Sequence, residues 1–271
     1  RVFRFRVVII IALCPIFTVM DFSEDIFLNN LAQTTDAPYG ISIERAKGIY
    51  LYSPEGKRYT DLISGIGVSS LGHGHARINE AIKKQVDQHL HIMVYGEFIQ
   101  RTPNLLAKQL TRMLPPSLNC CYFVNSGTEA NEGALKLAKR FTGRTEIISF
   151  RKSYHGSTHG SLSVSGNETK KQAFRPLLPD VRFITFNDPN ELQSITTKTA
   201  CAIMETIQGD AGVRVPSKHF MKALRKRCTE TGAMLILDEI QCGMGRTGKF
   251  SAFEHFDIVP DILTLGKALG G

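Results

Sequence analysis

Asp261-Ile-Leu-Thr-Leu-Gly-Lys-Ala-Leu-Gly-Gly271 decides how the rest of the chain is read. Residues 262–265 form a short apolar run closed by Gly266, the pattern of a buried strand. Lys267 follows with only small and apolar neighbours. Poor solvation lowers the pKa of a lysine and frees its lone pair for nucleophilic attack or imine formation. A solvated loop lysine is the plain alternative, and the rest of the chain has to decide.

Working outward, apolar runs alternate with helical patterns. Residues 120–124, 146–150, 181–186, 200–204, 233–237 and 262–265 read as strands. Helices are expected at 128–141, with Ala130, Ala134, Leu137 and Ala138 along one side, and at 217–231. Continuous apolar strands separated by helices imply an α/β fold with a mostly parallel sheet covered on both faces. Earlier in the chain, residues 21–33 permit an amphipathic helix, and 48–52 with 57–62 form a hairpin around Ser53-Pro-Glu-Gly56. Residues 65–74 are a glycine-rich loop. Two more helices are expected at 76–91, through Ile78, Ile82, Val86 and Leu90, and at 103–113, stopped by Pro115-Pro116.

Composition narrows the functional classes. A content of 42% apolar and 21% charged residues is that of an ordinary globular protein, and 271 residues suffice for one large domain or two smaller ones. The net charge of +8 includes Arg1, Arg4 and Arg6 ahead of the first acid, Asp21, which leaves +5 for the remainder. No basic block with interleaved aromatics follows, so nucleic acid is not expected as a partner. Cys14, Cys120, Cys121, Cys201, Cys228 and Cys242 contain no Cys-x-x-Cys pair, which suggests a reducing, cytoplasmic setting. Residues 7–19 are an apolar run behind the three arginines and imitate a signal peptide. The run is short for a membrane span, lacks an Ala-x-Ala-like cleavage site, and is followed by Met20 and an acidic start. Residues 1–19 are therefore read as an upstream extension, and no membrane association is expected.

Ligands of open parallel sheets bind beyond the carboxyl ends of the strands. After Val124 comes Asn125-Ser-Gly-Thr-Glu-Ala130, opening a helix. Ser126 and Thr128 offer hydroxyls, Gly127 lets backbone approach, and the helix N-terminus offers free N–H groups, an anion cup suited to phosphate. A plain N-cap by Ser126 or Thr128 would account for the same residues. After residue 150 comes Ser153-Tyr-His-Gly156; after 204 comes Glu205; after 237 come Asp238, Glu239 and Gln241; after 265 comes Lys267. Carboxylates, a cup, an aromatic ring and a lysine thus share one edge. Pyridoxal phosphate asks for all of them: the cup for its phosphate, a flat partner for its ring, a carboxylate for its pyridine nitrogen, a lysine for its aldehyde.

At these residues the sequence resembles the class III, ornithine-type aminotransferases, over about residues 21–271. The carriers are Asn125-Ser-Gly-Thr-Glu-Ala-Asn131, Tyr154-His-Gly156, Glu205-Thr-Ile-Gln-Gly-Asp210, Asp238-Glu-Ile-Gln241, Gly243-Met-Gly-Arg-Thr-Gly248 and Leu265-Gly-Lys267. The resemblance implies fold type I, with the pyridoxal 5′-phosphate domain in residues 92–271 and residues 20–91 contributing to a small, incomplete domain. It implies that Lys267 joins the cofactor's aldehyde and Asp238 binds its ring nitrogen. Gln241 would touch the ring hydroxyl, Tyr154 would stack on the ring, Glu205 would line the site, and Ser126, Gly127 and Thr128 would hold the phosphate. No metal is implied.

The implied reaction moves an amino group from an amine or amino acid to a 2-oxo acid, in a homodimer. Three departures bear on the substrate. Thr206 stands where a proline is common, Asp210 replaces a glutamate, and Ser157 replaces an arginine that grips a substrate carboxylate. Family chains also continue well past the lysine, so this one reads as C-terminally truncated. Another reaction on the same cofactor (aminomutase, decarboxylase or racemase) and a fragment that only binds cofactor remain as alternatives. Gly243-Met-Gly-Arg-Thr-Gly248 fits G-x-G-x-x-G, but it does not directly follow a strand and Phe250 replaces the expected hydroxyl. The pairs His73/His75, His89/His91 and His155/His159 lack further ligands at usable spacing.

Overall fold

The structure, a computed structural model, describes residues 24–93 and 96–270, so the reading of residues 1–19 lies outside them. The chain divides into two compact units, Arg1–Ala46 with Tyr50–Thr60, and Lys47–Ile49 with Asp61–Gly271.

The described part of the first unit holds a short helix α1 (Glu24–Asn30) and the strand segments β1 (Arg45–Lys47), β2 (Tyr50–Tyr52) and β3 (Arg58–Thr60). β2 and β3 pair antiparallel, with Tyr50 opposite Thr60 and Tyr52 opposite Arg58. The turn between them forms because Gly56 adopts φ +82°, and the N–H of Gly56 and of Ser53 donate to Ser53 O and Lys57 O.

The second unit starts with a single turn, α2 (Ser64–Gly67), then α3 (Ala76–Gln88) and α4 (Arg101–Met113). α4 begins two residues before the expected Pro103, which falls in the first turn, where a missing N–H is no loss. Then come α5 (Gly127–Thr142), β4 (Glu146–Phe150), α6 (His159–Val164), β5 (Val181–Ile184), β6 (Thr199–Glu205), α7 (Lys218–Thr231), β7 (Met234–Asp238) and β8 (Ile262–Thr264). The five strands β4–β8 form one sheet in the order β5-β4-β6-β7-β8, and every pairing is parallel.

Alternation along these strands sends side chains to two cores. Ile148, Met204, Leu235 and Leu237 pack with Phe220 and Leu224 of α7, while Ile147, Cys201, Ile203 and Ile236 pack with Ala134, Leu135 and Ala138 of α5. All seven residues of β6 are buried, as expected of a central strand with helices on both faces. The helix ends are closed locally. Ser126 and Ser217 cap the N-termini of α5 and α7, and Gly143 and Gly232, both left-handed, follow their C-termini.

One expected strand is absent. Residues 120–124 join no ladder among the described residues, and Tyr122 is 73% exposed. Apolar, β-prone residues do not by themselves make a strand, which is defined by a hydrogen-bonded neighbour. No helix among the described residues is long and apolar enough to cross a membrane.

Candidate active site

Register brings the site together. Glu205 of β6 lies opposite Asp238 of β7, and Asp238 lies opposite Thr264 of β8. Three neighbouring strands therefore end side by side with polar groups, and Lys267 follows β8 by three residues.

Asp238 is the hub. It is buried, and its Oδ2 accepts hydrogen bonds from Asn131 Nδ2 at 2.8 Å and His155 Nδ1 at 2.7 Å. Its Oδ1 accepts from the backbone N–H of Ile240 at 3.1 Å. Asn131 is itself held on both sides: its Nδ2 also donates to His155 O, and its Oδ1 accepts from Thr264 Oγ1 at 2.9 Å. A buried carboxylate with donors around it keeps one orientation, because leaving those donors unpaired would cost their full desolvation penalty.

Glu205 lies alongside. Its Oε1 accepts from Tyr154 N at 2.8 Å and its Oε2 from Gly209 N at 3.1 Å. Burial pushes its pKa up to about 7 against the pull of His155, and Asp238 pushes it further the same way. Glu239 reaches about 7 as well, again through burial, but it points elsewhere. It accepts from Thr206 Oγ1 and from the N–H groups of Ala252 and Phe253, capping the turn that they open. Sequence neighbours at the same strand end thus have different tasks.

Ser126, Gly127 and Thr128 open α5, and Ser126 is its N-cap. Ser126 Oγ accepts from Glu129 N, and Glu129 Oε2 accepts in turn from Asn125 N. Thr128 Oγ1 meets Thr158 Oγ1 at 2.6 Å and also accepts from Thr158 N. Gly156 packs so closely on Thr128 that a Cβ there would overlap its hydroxyl. A Cβ on Gly127 would come within 2.8 Å of the Ile240 side chain, and one on Gly266 would lie 3.8 Å from Gly127 Cα. The cup, the segment after Asp238 and the segment before Lys267 are therefore in contact.

Lys267 itself is left-handed, with φ 47°, a conformation that costs a non-glycine residue energy and recurs at functional sites. Burial lowers its pKa, while Asp238, Glu205 and Asp210 oppose the fall, so all three carboxylates lie within its electrostatic reach. Tyr154 is 36% exposed, with its hydroxyl 3.3 Å from Ser157 Oγ. Gln241 lies against Gly209, where a Cβ would collide with its amide oxygen. Two hollows, of about 270 and 480 Å³, lie elsewhere: one between α3 and α4, the other near Phe141, Met234 and Pro260; neither is lined by Lys267 or Asp238.

All eight residues singled out from sequence (Ser126, Gly127, Thr128, Tyr154, Glu205, Asp238, Gln241 and Lys267) thus belong to one connected region. His155, Thr158 and Thr264, and the role of Asn131, were missed. Asn131 and His155 sit inside the quoted motifs, and the position of Asn131 one turn after Gly127 was a signal that it faces the sheet.

The chain matches the family described as aminotransferase class-III over residues 31–271. It is 42% identical over 232 residues to the [LysW]-aminoadipate semialdehyde/glutamate semialdehyde transaminase of Sulfurisphaera tokodaii, covering 86% of this chain and 59% of that one. It is 42% identical over 240 residues to the acetylornithine aminotransferase of Methanopyrus kandleri, covering 88% and 61%. Among solved structures, the ornithine aminotransferase of Toxoplasma gondii superposes with a TM-score of 0.80 at 28% identity, over 92% of this chain and 61% of that one. The taurine:2-oxoglutarate aminotransferase of Bifidobacterium kashiwanohense gives 0.80 at 30% identity, over 90% and 60%. The chain spans about three-fifths of the length of the curated relatives it matches. Its α/β architecture is fold type I, and the chain belongs to the class-III aminotransferases.

Proposed function

We propose that the protein binds pyridoxal 5′-phosphate and moves an amino group from an amine or amino acid, an ornithine-like ω-amine among them, to a 2-oxo acid such as 2-oxoglutarate. One observation carries the reading: a strained, partly buried lysine sits within electrostatic reach of an aspartate held by three donors, beside a capped helix N-terminus. The residues fit the cofactor. Asp238 Oδ1 accepts a single hydrogen bond and keeps capacity for a pyridine N–H. The hydroxyls of Ser126 and Thr128, with the free N–H groups of α5, suit a phosphate.

Bound there, the cofactor would supply an electron sink for the carbon next to the transferred amine. The residues do the rest. Asp238 would hold the ring nitrogen, its carboxylate kept in one orientation by Asn131 and His155. Tyr154 would offer a ring face, and Gln241 would meet the ring hydroxyl. Ser126, Gly127 and Thr128 fix the phosphate end. Lys267 would hold the aldehyde end until the substrate's amine takes its place; burial lowers its pKa, which favours the neutral form, and the Nζ so released would accept the proton from the substrate carbon. Glu205, whose pKa burial raises to about 7, lines the site and near pH 7 is only about half ionised beside Asp238.

The relative from Bifidobacterium is described in complex with PLP and glutamate, which supports the same cofactor and an amino-acid partner here. The cofactor domain is assigned to residues 92–271, with 20–91 contributing to a smaller domain, and the protein is taken to act as a cytoplasmic homodimer without nucleic acid. The test is incubation with pyridoxal phosphate, ornithine and 2-oxoglutarate. Glutamate should accumulate, and Lys267→Ala should abolish both glutamate and the visible absorbance. Full-strength absorbance in Lys267→Ala, or no glutamate from the unmodified protein, would overturn the assignment.

A further inference from the structure

A substrate with a carboxylate needs a counter-charge, and position 157 carries a hydroxyl, Ser157 Oγ, hydrogen-bonded to Tyr154. The cation comes from another element. Residues Glu168–Lys170 form one tight turn, capped by Asn167, whose side chain accepts from Thr169 N. Two adjacent lysines diverge at its end. Lys171 turns inward: it is 4% exposed, its Nζ donates to Ser163 O at 3.2 Å, and it lies 4.1 Å from the Phe183 ring centroid. Lys170 turns the other way, with Nζ 4.8 Å from the centroid of the Tyr154 ring and 2.8 Å from Asp210 Oδ2.

Both side chains of the Lys170–Asp210 pair are 42% exposed. An ion pair so hydrated contributes little to stability, and exchanging one carboxylate partner for another is nearly neutral. Its position is what distinguishes it. The ammonium lies over the Tyr154 ring, and its partner Asp210 is one of the three carboxylates within electrostatic reach of Lys267.

We propose that Lys170 is the anchor for the substrate carboxylate, with Asp210 holding the ammonium in place until that carboxylate displaces it. The inference rests on the transamination reading, since every 2-oxo acid carries such a group. It makes Lys170 a specificity-determining residue and favours carboxylate-bearing donors over simple amines.

The experiment is calorimetric titration of the full, cofactor-loaded chain with pentanoate, an unreactive carboxylate. Lys170→Ala should weaken binding about tenfold or more, the scale of one hydrogen bond to a charged group. Lys170→Arg should stay within about threefold, and Asp210→Asn should tighten binding because the competing anion is gone. Lys226→Ala, an exposed control on α7, should change nothing. Unaltered binding in Lys170→Ala, or equal weakening in Lys226→Ala, would overturn the anchor. The visible band is read in the same samples. Its absence in unmodified protein overturns the transamination reading instead, while its presence with Lys170-independent binding overturns the anchor alone.

Discussion

Replacing Glu205 with glutamine should remove a defined part of the protein's pH-dependent stability. In the folded state this carboxyl is pushed from 4.5 to about 7, chiefly by burial. At 1.36 kcal/mol per pKa unit, that difference is worth about 3 kcal/mol. The sign follows from the direction. A carboxyl with a raised folded pKa contributes stability that is fully present below about pH 4.5, and that stability is lost as pH rises through about 7. The unfolded chain ionises first, so the folded state is progressively disfavoured across that window. Glutamine never ionises and cannot show the loss. It carries its own cost, since Glu205 accepts from both Tyr154 N and Gly209 N and an amide offers one oxygen. The mispaired N–H adds about 1–3 kcal/mol of destabilisation at every pH. Urea unfolding at pH 5 and pH 8, followed by circular dichroism, separates the two effects. The variant should be the less stable of the two at pH 5 and as stable as the unmodified protein or more so at pH 8, a relative shift of about 2–3 kcal/mol between the two pH values. A difference that is the same at both pH values would refute the reasoning.

Further outcomes follow from the same geometry. Asp238→Ala leaves His155, Asn131 and the Ile240 N–H without their acceptor and should lower stability by about 3–5 kcal/mol, measured by urea unfolding without added cofactor. Gly156→Ala pushes a Cβ into Thr128 at a φ of +125° and should weaken phosphate binding at the cup; binding equal to that of the unmodified protein would show that Thr128 takes no part. Phe220→Ala opens the core between α7 and the sheet, against Phe150 and Phe186, and should cost about 3–5 kcal/mol of stability; comparing cofactor affinity in the fraction that stays folded then separates core packing from site chemistry.

The sheet was legible because its strands are mostly apolar runs, and three of them, β6, β7 and β8, end in the polar residues Glu205, Asp238 and Thr264. Asp238 after residues 234–237 and Lys267 after β8 fall where strand ends were expected. The support around Asp238 was not legible in the same way. Asn131 lies 107 residues from Asp238 and His155 lies 83; Asn131 reaches it from α5, which packs on the sheet, and His155 from the segment after β4. Residues 120–124 misled because apolarity cannot reveal whether a neighbouring strand is available. The divergence of Lys170 and Lys171 is set by one short turn, and identical side chains one residue apart carry no sign of which faces the site.

The central claim is that Lys267 meets the cofactor held by Asp238 and the Ser126–Thr128 cup. Borohydride reduction of the protein mixed with pyridoxal phosphate, followed by peptide mass spectrometry, tests it most directly. A pyridoxyl phosphate adduct should be found on the peptide containing Lys267 and lost in Asp238→Ala at limiting cofactor. An adduct confined to surface lysines such as Lys226, with Lys267 unmodified, would contradict the account.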